Sequence, residues 1–325
     1  MSAGQRPDRD RISSIRRPFL VSVPLLMLLA ACGGGGDDGH PVLTPVPETA
    51  PEPVIISRDM EAGPNRFSLG LIDQSDDTQI LGAELHLRFF LLDGSGQVLK
   101  FEADPEALVI TKSYTHTHVD GVTETHEAGE TGAYVAHVSF DTAGDWGVEI
   151  TGAADGEALE PVTATFNVLE ESAGLDVGDP APRSTQRVLA DVADISEVDS
   201  SLNPIPAMHD MTIAEAVSSG RPTVIVFATP AFCVSQICGP AKEIVDDLYA
   251  AYGDRANFVH VEPYDLEKAR SGQALEPLPF IEQEWRLASE PWVFIVDAGG
   301  LIAAKFEGIA SYEELESALI QVVSG

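Results

Sequence analysis

The spacing of hydrophobic positions changes between the first and second halves of the chain. From residue 55 to about 170 they alternate with polar ones. Leu85, Leu87, Phe89 and Leu91 interleave with Glu84, His86 and Arg88, and the same period recurs in Tyr134, Ala136, Val138 and Phe140. Trp146, Val148 and Ile150 repeat it, as do Val162, Ala164, Phe166 and Val168. A period of two buries one face of a strand, and short strands separated by Gly/Asp turns predict a sandwich. After Gly178-Asp179-Pro180-Ala181-Pro182 helices and strands alternate. Thr212-Ile213-Ala214-Glu215 is a capping box, and Gly220 stops the short helix it starts. Pro222 to Ala228 is a continuous apolar strand, the pattern of a sheet covered on both faces. Next come a helix with Ile244, Val245, Leu248, Tyr249 and Tyr252 on one stripe, ending at Gly253, and a buried strand from Phe258 to Val261. Trp292–Val296 and Leu301–Phe306 flank Ala298-Gly299-Gly300 as a hairpin. Ser311-Tyr312-Glu313-Glu314 caps a last helix whose stripe is Tyr312, Leu315, Leu319 and Val322. Residues from Tyr264 to about Pro279 read as an irregular insertion. The predicted fold class is multidomain, with an all-β sandwich over 55–172 and an α/β domain, preceded by its linker, over 173–325.

The N-terminus carries Arg6, Arg9, Arg11, Arg16 and Arg17 ahead of an apolar run from Phe19 to Leu29. Eleven helical residues reach roughly 16 Å, about half of a ~30 Å hydrocarbon core, so the run reads as a signal-peptide core and not a membrane span. It ends in Leu29-Ala30-Ala31-Cys32, which resembles the lipobox of bacterial lipoproteins. That resemblance implies a signal peptide over 1–31, lipid attached to Cys32, and a place in the cell envelope on a bacterial membrane, facing the periplasm or the exterior. Arg16-Arg17-Pro18-Phe19-Leu20 also resembles a twin-arginine export motif, with Ile15 where Ser or Thr is usual. Residues 32–54 are Gly- and Pro-rich and predict a flexible tether. Lys and Arg number 19 against 52 Asp and Glu, a formal charge of -33. Nucleic-acid binding, which needs cations against phosphate, is excluded as the expected partnership. The membrane is expected to be met through the lipid anchor alone.

Two further resemblances follow. Asp141 to Ile150, D-T-A-G-D-W-G-V-E-I, resembles a late strand of bacterial immunoglobulin-like modules, which implies a fold and no activity. T-V-I-V-F-A-T-P-A-F-C and W-R-L-A-S-E-P-W-V-F-I-V-D-A-G-G-L-I resemble the thioredoxin superfamily over roughly residues 186–325. The first matches the strand that runs into the redox cysteine. The second matches the segment of the cis-proline and the terminal hairpin.

Of three cysteines, lipidation of Cys32 leaves the pair Cys233 and Cys238, in F-C-V-S-Q-I-C-G-P. An exported protein meets an oxidising compartment, where a disulfide persists. The pair reads as redox-active, as a static disulfide, or as a metal-binding thiolate pair. Its spacing departs from the two intervening residues of thioredoxins. Five helical steps rotate about 500°, so the side chains would diverge by about 140° on a regular helix. Pro240 suits a first helical turn, so residues 233–238 are expected as a loop or loose turn, or as a helix that unwinds on oxidation. By resemblance Cys233 attacks and Cys238 resolves. Glu290, Pro291 and Trp292 receive the substrate, with Pro291 in the cis form. Phe232 stands where Trp is usual. Phe227 stands where the family has its proton-accepting Asp, and His260 or Glu262 are the substitutes on the next strand. Cys233, directly after the strand, is expected to be the more exposed thiol. An atypical two-cysteine peroxidase is a third reading, although Pro230 occupies the position of its required Thr.

His116, His118 and His126 lie with Glu124 in T-H-T-H-V-D-G-V-T-E-T-H. Asp120-Gly121 signals a hairpin, and its register decides what the residues share. A two-residue loop pairs His116 with Thr125. A three-residue loop pairs His116 with His126 and His118 with Glu124, giving one face suited to zinc or copper. A solvated polar hairpin is the other reading. The functional expectation is thiol–disulfide exchange on exported thiol or disulfide proteins, with no cofactor required. The alternative is a non-enzymatic copper- or zinc-binding or copper-delivery lipoprotein.

Overall fold

This computed structural model describes residues 50–94, 96–117, 123–233 and 237–324. The predicted signal peptide, Cys32, the tether up to residue 49 and His118 lie outside the described residues. The described part begins with β1 (Glu52–Ile55), β2 (Gly63–Asp73), β3 (Thr78–Gln79), β4 (Glu84–Asp93) and β5 (Gly96–Ala103). It continues through β6 (Glu106–Thr117), β7 (Thr123–Phe140), β8 (Gly144–Ala154), β9 (Glu157–Ala158) and β10 (Val162–Val168). They form two antiparallel sheets, one ordered β1-β2-β7-β6 with β3 on β2, the other β10-β8-β4-β5 with β9 on β8. The alternation read from the sequence supplies the core between them. Leu85, Leu87, Phe89, Trp146, Val148 and Ile150 meet Phe67, Leu69, Tyr134, Ala136, Val138 and Phe140 from the other sheet. Phe67 and Phe89 pack edge to face at 5.0 Å, and Phe140 and Trp146 at 4.9 Å, a geometry that aromatic quadrupoles favour. The buried Tyr134 hydroxyl donates to the Ile80 carbonyl at 2.8 Å and accepts from the Ala83 amide at 3.0 Å.

The α-helices and strands that follow are α1 (Ile213–Ser218), β11 (Thr223–Phe227), α2 (Cys238–Tyr252), β12 (Asn257–Val261), α3 (Leu266–Arg270), β13 (Trp292–Val296), β14 (Ile302–Glu307) and α4 (Tyr312–Val323), with short 3-10 turns at Leu189–Asp191, Ile195–Glu197 and Pro206–His209 and a π turn at Ile281–Trp285. Their sheet is ordered β12-β11-β13-β14. β11 and β12 are parallel, joined through α2, while β13 is antiparallel to both β11 and β14. Both predicted capping boxes form, at Thr212 for α1 and Ser311 for α4. The insertion after Tyr264 is not wholly irregular. Asp265 accepts from the amides of Glu267 and Lys268 and so starts α3. Among the described residues no helix is long and apolar enough to cross a membrane.

The β11 strand is apolar throughout because each face has a cover. Val224 and Val226 belong to a cluster with Ile244, Val245 and Leu248 of α2 and Leu315 and Leu319 of α4. Ile225 and Phe227 belong to another with Ile213, Val217 and Trp285. The α2 cluster also contains Ile110, Ala133 and Val135. These belong to β6 and β7, and Ala133 and Val135 alternate with the inward Tyr134 and Ala136. Helix α2 is therefore packed between two sheets. Arg66 of β2 bonds Glu314 at 2.7 Å and the Ile309 carbonyl at 2.8 Å. The Glu307 carboxylate accepts from the Arg58 and Asp59 amides at 2.8 and 3.1 Å.

The histidine hairpin adopts neither expected register. Backbone pairing sets His116 opposite Glu124 and Tyr114 opposite His126. The cause lies upstream of the Asp-Gly turn signal. Lys112 pairs with Gly129, which continues to the two-residue-loop register, but between Lys112 and Tyr114 the partner strand advances three residues while β6 advances two. Such a bulge shifts every later pair by one. His118 lies outside the described residues, so the four-residue face is not assembled among them.

Gly308 follows β14 with φ +74, and a Cβ there would lie 2.5 Å from Ile56 Cγ2. Gly308→Ala should lower stability by about 1–2 kcal/mol from the left-handed backbone, with the Ile56 clash in addition. Denaturant titration checks this. Adding Ile56→Ala should remove only the clash and leave the backbone penalty.

Candidate functional site

The end of β11 turns sharply. The Ala228 amide still bonds the Val261 carbonyl at 3.1 Å, then the Phe232 amide bonds back to the Thr229 carbonyl at 3.1 Å. Cys233 follows this turn, and Cys238 opens α2. Pro240 lies in the first helical turn, where its missing N–H has no partner to lose. The spacing problem is thus solved by placing only the second cysteine on the helix. The two Cα atoms are 6.0 Å apart and the sulfurs are joined as a disulfide. That separation is within the normal range for the bond. Cys238 also sits where unpaired helical amides favour a thiolate once the bond opens. Cys233 is 4% exposed and Cys238 is wholly buried. Cys233 lines an open groove of about 290 Å³ with Phe232, Tyr264 and Glu290, and Cys238 does not.

The Glu290–Pro291 peptide is cis. The Pro291 carbonyl accepts from the Gly308 amide at 2.9 Å, which ties this turn to the end of β14. One Glu290 carboxylate oxygen and both cysteine sulfurs lie within 4.8 Å of one another. Trp292 is not part of that grouping. Its ring stacks on Phe294 at 5.5 Å and its Nε1 donates to Ser289 Oγ at 3.1 Å, within the cluster on the far face of the sheet. Phe227 belongs to the same apolar cluster.

Behind the disulfide runs a buried set of ionisable groups that sequence reasoning found only in part. His260 on β12 and Glu262 directly after it are candidates the sequence offers. Asp199, His209 and Lys242 are not. Asp199 Oδ2 accepts from His209 Nε2 at 2.9 Å and pairs with His260 Nδ1 at 3.3 Å. Lys242 Nζ is 3.9 Å from that oxygen and donates to Asp246 at 2.8 Å and to the Asn203 carbonyl at 3.1 Å. Burial works to raise the Asp199 carboxyl, but His260, His209 and Lys242 together hold it well below the usual carboxylate range. Burial lowers His209. For His260 the opposing pull of Asp199 overcomes burial and raises it. The only legible trace was Lys242, a cation at a position of the apolar stripe four residues before Asp246.

Asp199, His209 and His260 each bring a ligand atom within 4.8 Å of the others, and this group could hold a metal ion. Asp199 and His209 already serve one another as hydrogen-bond partners, and the Lys242 ammonium 3.9 Å from Asp199 opposes a second cation. The sulfurs, joined to each other, offer no thiolate. Asp199 is the shared partner of His209, His260 and Lys242 in this cluster.

No protein-family model matches the chain, and no curated protein matches it.

Asp199→Asn should destabilise the protein by about 3–5 kcal/mol at neutral pH, because it removes the buried carboxylate that His209 and His260 share. Asp199 binds a proton less readily folded than unfolded. Its contribution is therefore present above its unfolded value near 3.9 and is lost as pH falls. Urea titration at pH 7 and pH 3 should show the gap between wild type and variant narrowing in acid.

Proposed function

We propose that this chain is a lipid-anchored protein of the bacterial cell envelope whose thioredoxin-like α/β part exchanges thiols and disulfides with exported proteins through Cys233 and Cys238. The observation that carries the reading is the disulfide at the start of α2, beside the cis Glu290–Pro291 peptide and lining a groove. The parallel β11–β12 pair crossed by α2 and the antiparallel β13–β14 hairpin support the thioredoxin-like assignment. The antiparallel sandwich supports an immunoglobulin-like module ahead of it. The lipobox at Cys32 supports the anchor.

In the oxidising direction a partner thiolate attacks Cys233 Sγ and forms a mixed disulfide. The Cys233–Cys238 bond breaks, and Cys238 leaves with the electron pair and takes up a proton. A second partner thiolate then attacks the partner's sulfur in the mixed disulfide and releases Cys233 as thiolate. The partner is oxidised by two electrons and the cysteine pair is reduced by two. Run backward, the same steps reduce a partner disulfide. Cys233 suits the attacked position because it faces the groove. Metal delivery draws on the Asp199–His209–His260 group, whose burial beside an ammonium opposes ready exchange of an ion with solvent.

Cys238→Ser, which keeps the outer thiol and lacks its resolver, should accumulate mixed disulfides with exported proteins. These should be visible on non-reducing gels, lost with dithiothreitol, and absent when Cys233 is also replaced. Adduct formation should survive chelation. No adducts in the single variant would overturn the reading, and adducts or partner transfer requiring copper or zinc would favour the metal function. Labelled fatty acid should enter the wild type but not Cys32→Ala, and equal labelling would remove the anchor.

A further inference from the structure

The Glu290 carboxyl is an unusual neighbour for a disulfide. Its Oε2 is out of solvent and has no hydrogen-bond partner among the described residues. The Tyr264 side chain and the Thr229 backbone bond to the carboxyl. Among the described residues, the ionisable groups that face it are Glu262, directly after β12, Tyr264, and the cysteine pair at the start of α2. Arg58 and Glu307 line the same groove. Glu307 is already engaged by Ser289 at 2.6 Å and by the Arg58 and Asp59 amides. A carboxylate with an oxygen buried and unbonded is costly, whereas the neutral acid is not. Burial first, and then the charge of Glu262, push Glu290 up to about 9. At neutral pH the group therefore holds a proton, and one of its oxygens is within 4.8 Å of both sulfurs.

We propose that Glu290 is the proton carrier of the Cys233–Cys238 pair, giving its proton to the Cys238 sulfur when the disulfide opens and taking it back when the disulfide closes. The inference rests on the exchange reading above. When a partner thiolate bonds to Cys233, the electron pair of the broken bond stays on Cys238. The Glu290 O–H bond breaks toward that sulfur, leaving Cys238 as thiol and Glu290 as carboxylate. In the reverse step the carboxylate removes the Cys238 proton as that sulfur attacks Cys233 and expels the partner thiolate. Charge, protons and electrons balance in both directions without a further reactant. Phe227 supplies no carboxyl from the strand, and Glu262 Oε1 is occupied by the Ser200 amide at 2.6 Å.

The test is infrared difference spectroscopy of the full chain, oxidised minus dithiothreitol-reduced, in parallel with the rate at which dithiothreitol opens the disulfide. Wild type should show the C=O band of a protonated carboxylic acid at pH 7, shifted in D2O, changing with redox state and missing in Glu290→Gln. The variant should open about 100-fold more slowly at pH 7, the scale of general acid catalysis, and, with rates referred to the dithiothreitol thiolate present at each pH, lose the wild-type inflection near pH 9. A wild type without the acid band, or a Gln variant with the wild-type rate and pH profile, would overturn the proposal. The wild-type band and inflection decide the matter by themselves if the variant does not fold. A disulfide that dithiothreitol cannot open in any variant would instead sink the exchange reading, and the proton role with it.

Discussion

Val245 and Leu248 lie on the flank of α2, in one cluster with Val224 and Val226 of β11 and with Ile110, Ala133 and Val135 of β6 and β7. This double packing is the constraint from which the site follows. It fixes the axis of α2 against two sheets, so its first residue can move little relative to the end of β11. Cys238 is that first residue, and Cys233 ends the turn that leaves β11. The same placement brings Lys242, one turn further in, over Asp199. A buried ammonium is tolerable only with carboxylates in reach, and Asp199 and Asp246 supply them.

The chemistry is thus layered by polarity. At the groove lie the sulfurs and an acid kept neutral by burial. One layer deeper lie charges that compensate one another, with Asp199 as the common partner of two imidazoles and an ammonium. Burial acts on both layers, yet the outcomes are opposite. Glu290 has one like-charged neighbour and no cation bonded to it, so it holds its proton. Asp199 has three donors or cations, so it gives its proton up.

Features that depend on nearest neighbours in sequence were legible. Period-two alternation located the sandwich strands, and the run Thr223–Phe227 read as buried on both sides because Val224 and Ile225 face different covers. Capping boxes at Thr212 and Ser311 and the hairpin at Gly299-Gly300 carry local signatures, whereas the cis bond before Pro291 is expected only through the family resemblance. What depended on distant pairing was not legible. The histidine register is set by a bulge between Lys112 and Tyr114, upstream of the Asp120-Gly121 signal. Asp199 lies in a segment without period, and its role exists only because His209, His260 and Lys242 converge on it from three other places. Trp292 read as a substrate contact from its neighbour Pro291, but strand alternation turns it to the face of Phe294.

The double packing of α2 also bears on how the molecule comes apart. Ala133 and Val135 are buried by α2, while Tyr134 and Ala136, one residue away, are buried by the opposite sheet. A single strand thus belongs to two cores. Pulling α2 and its sheet away would wet the outer face of β7 and the α2 flank that covers it. Partial opening is disfavoured for that reason, and the sandwich and the α/β part are thermodynamically one cooperative unit despite their different architectures. Opening one core alone does not free β7, so the backbone of that strand becomes accessible only when the described body unfolds as a whole.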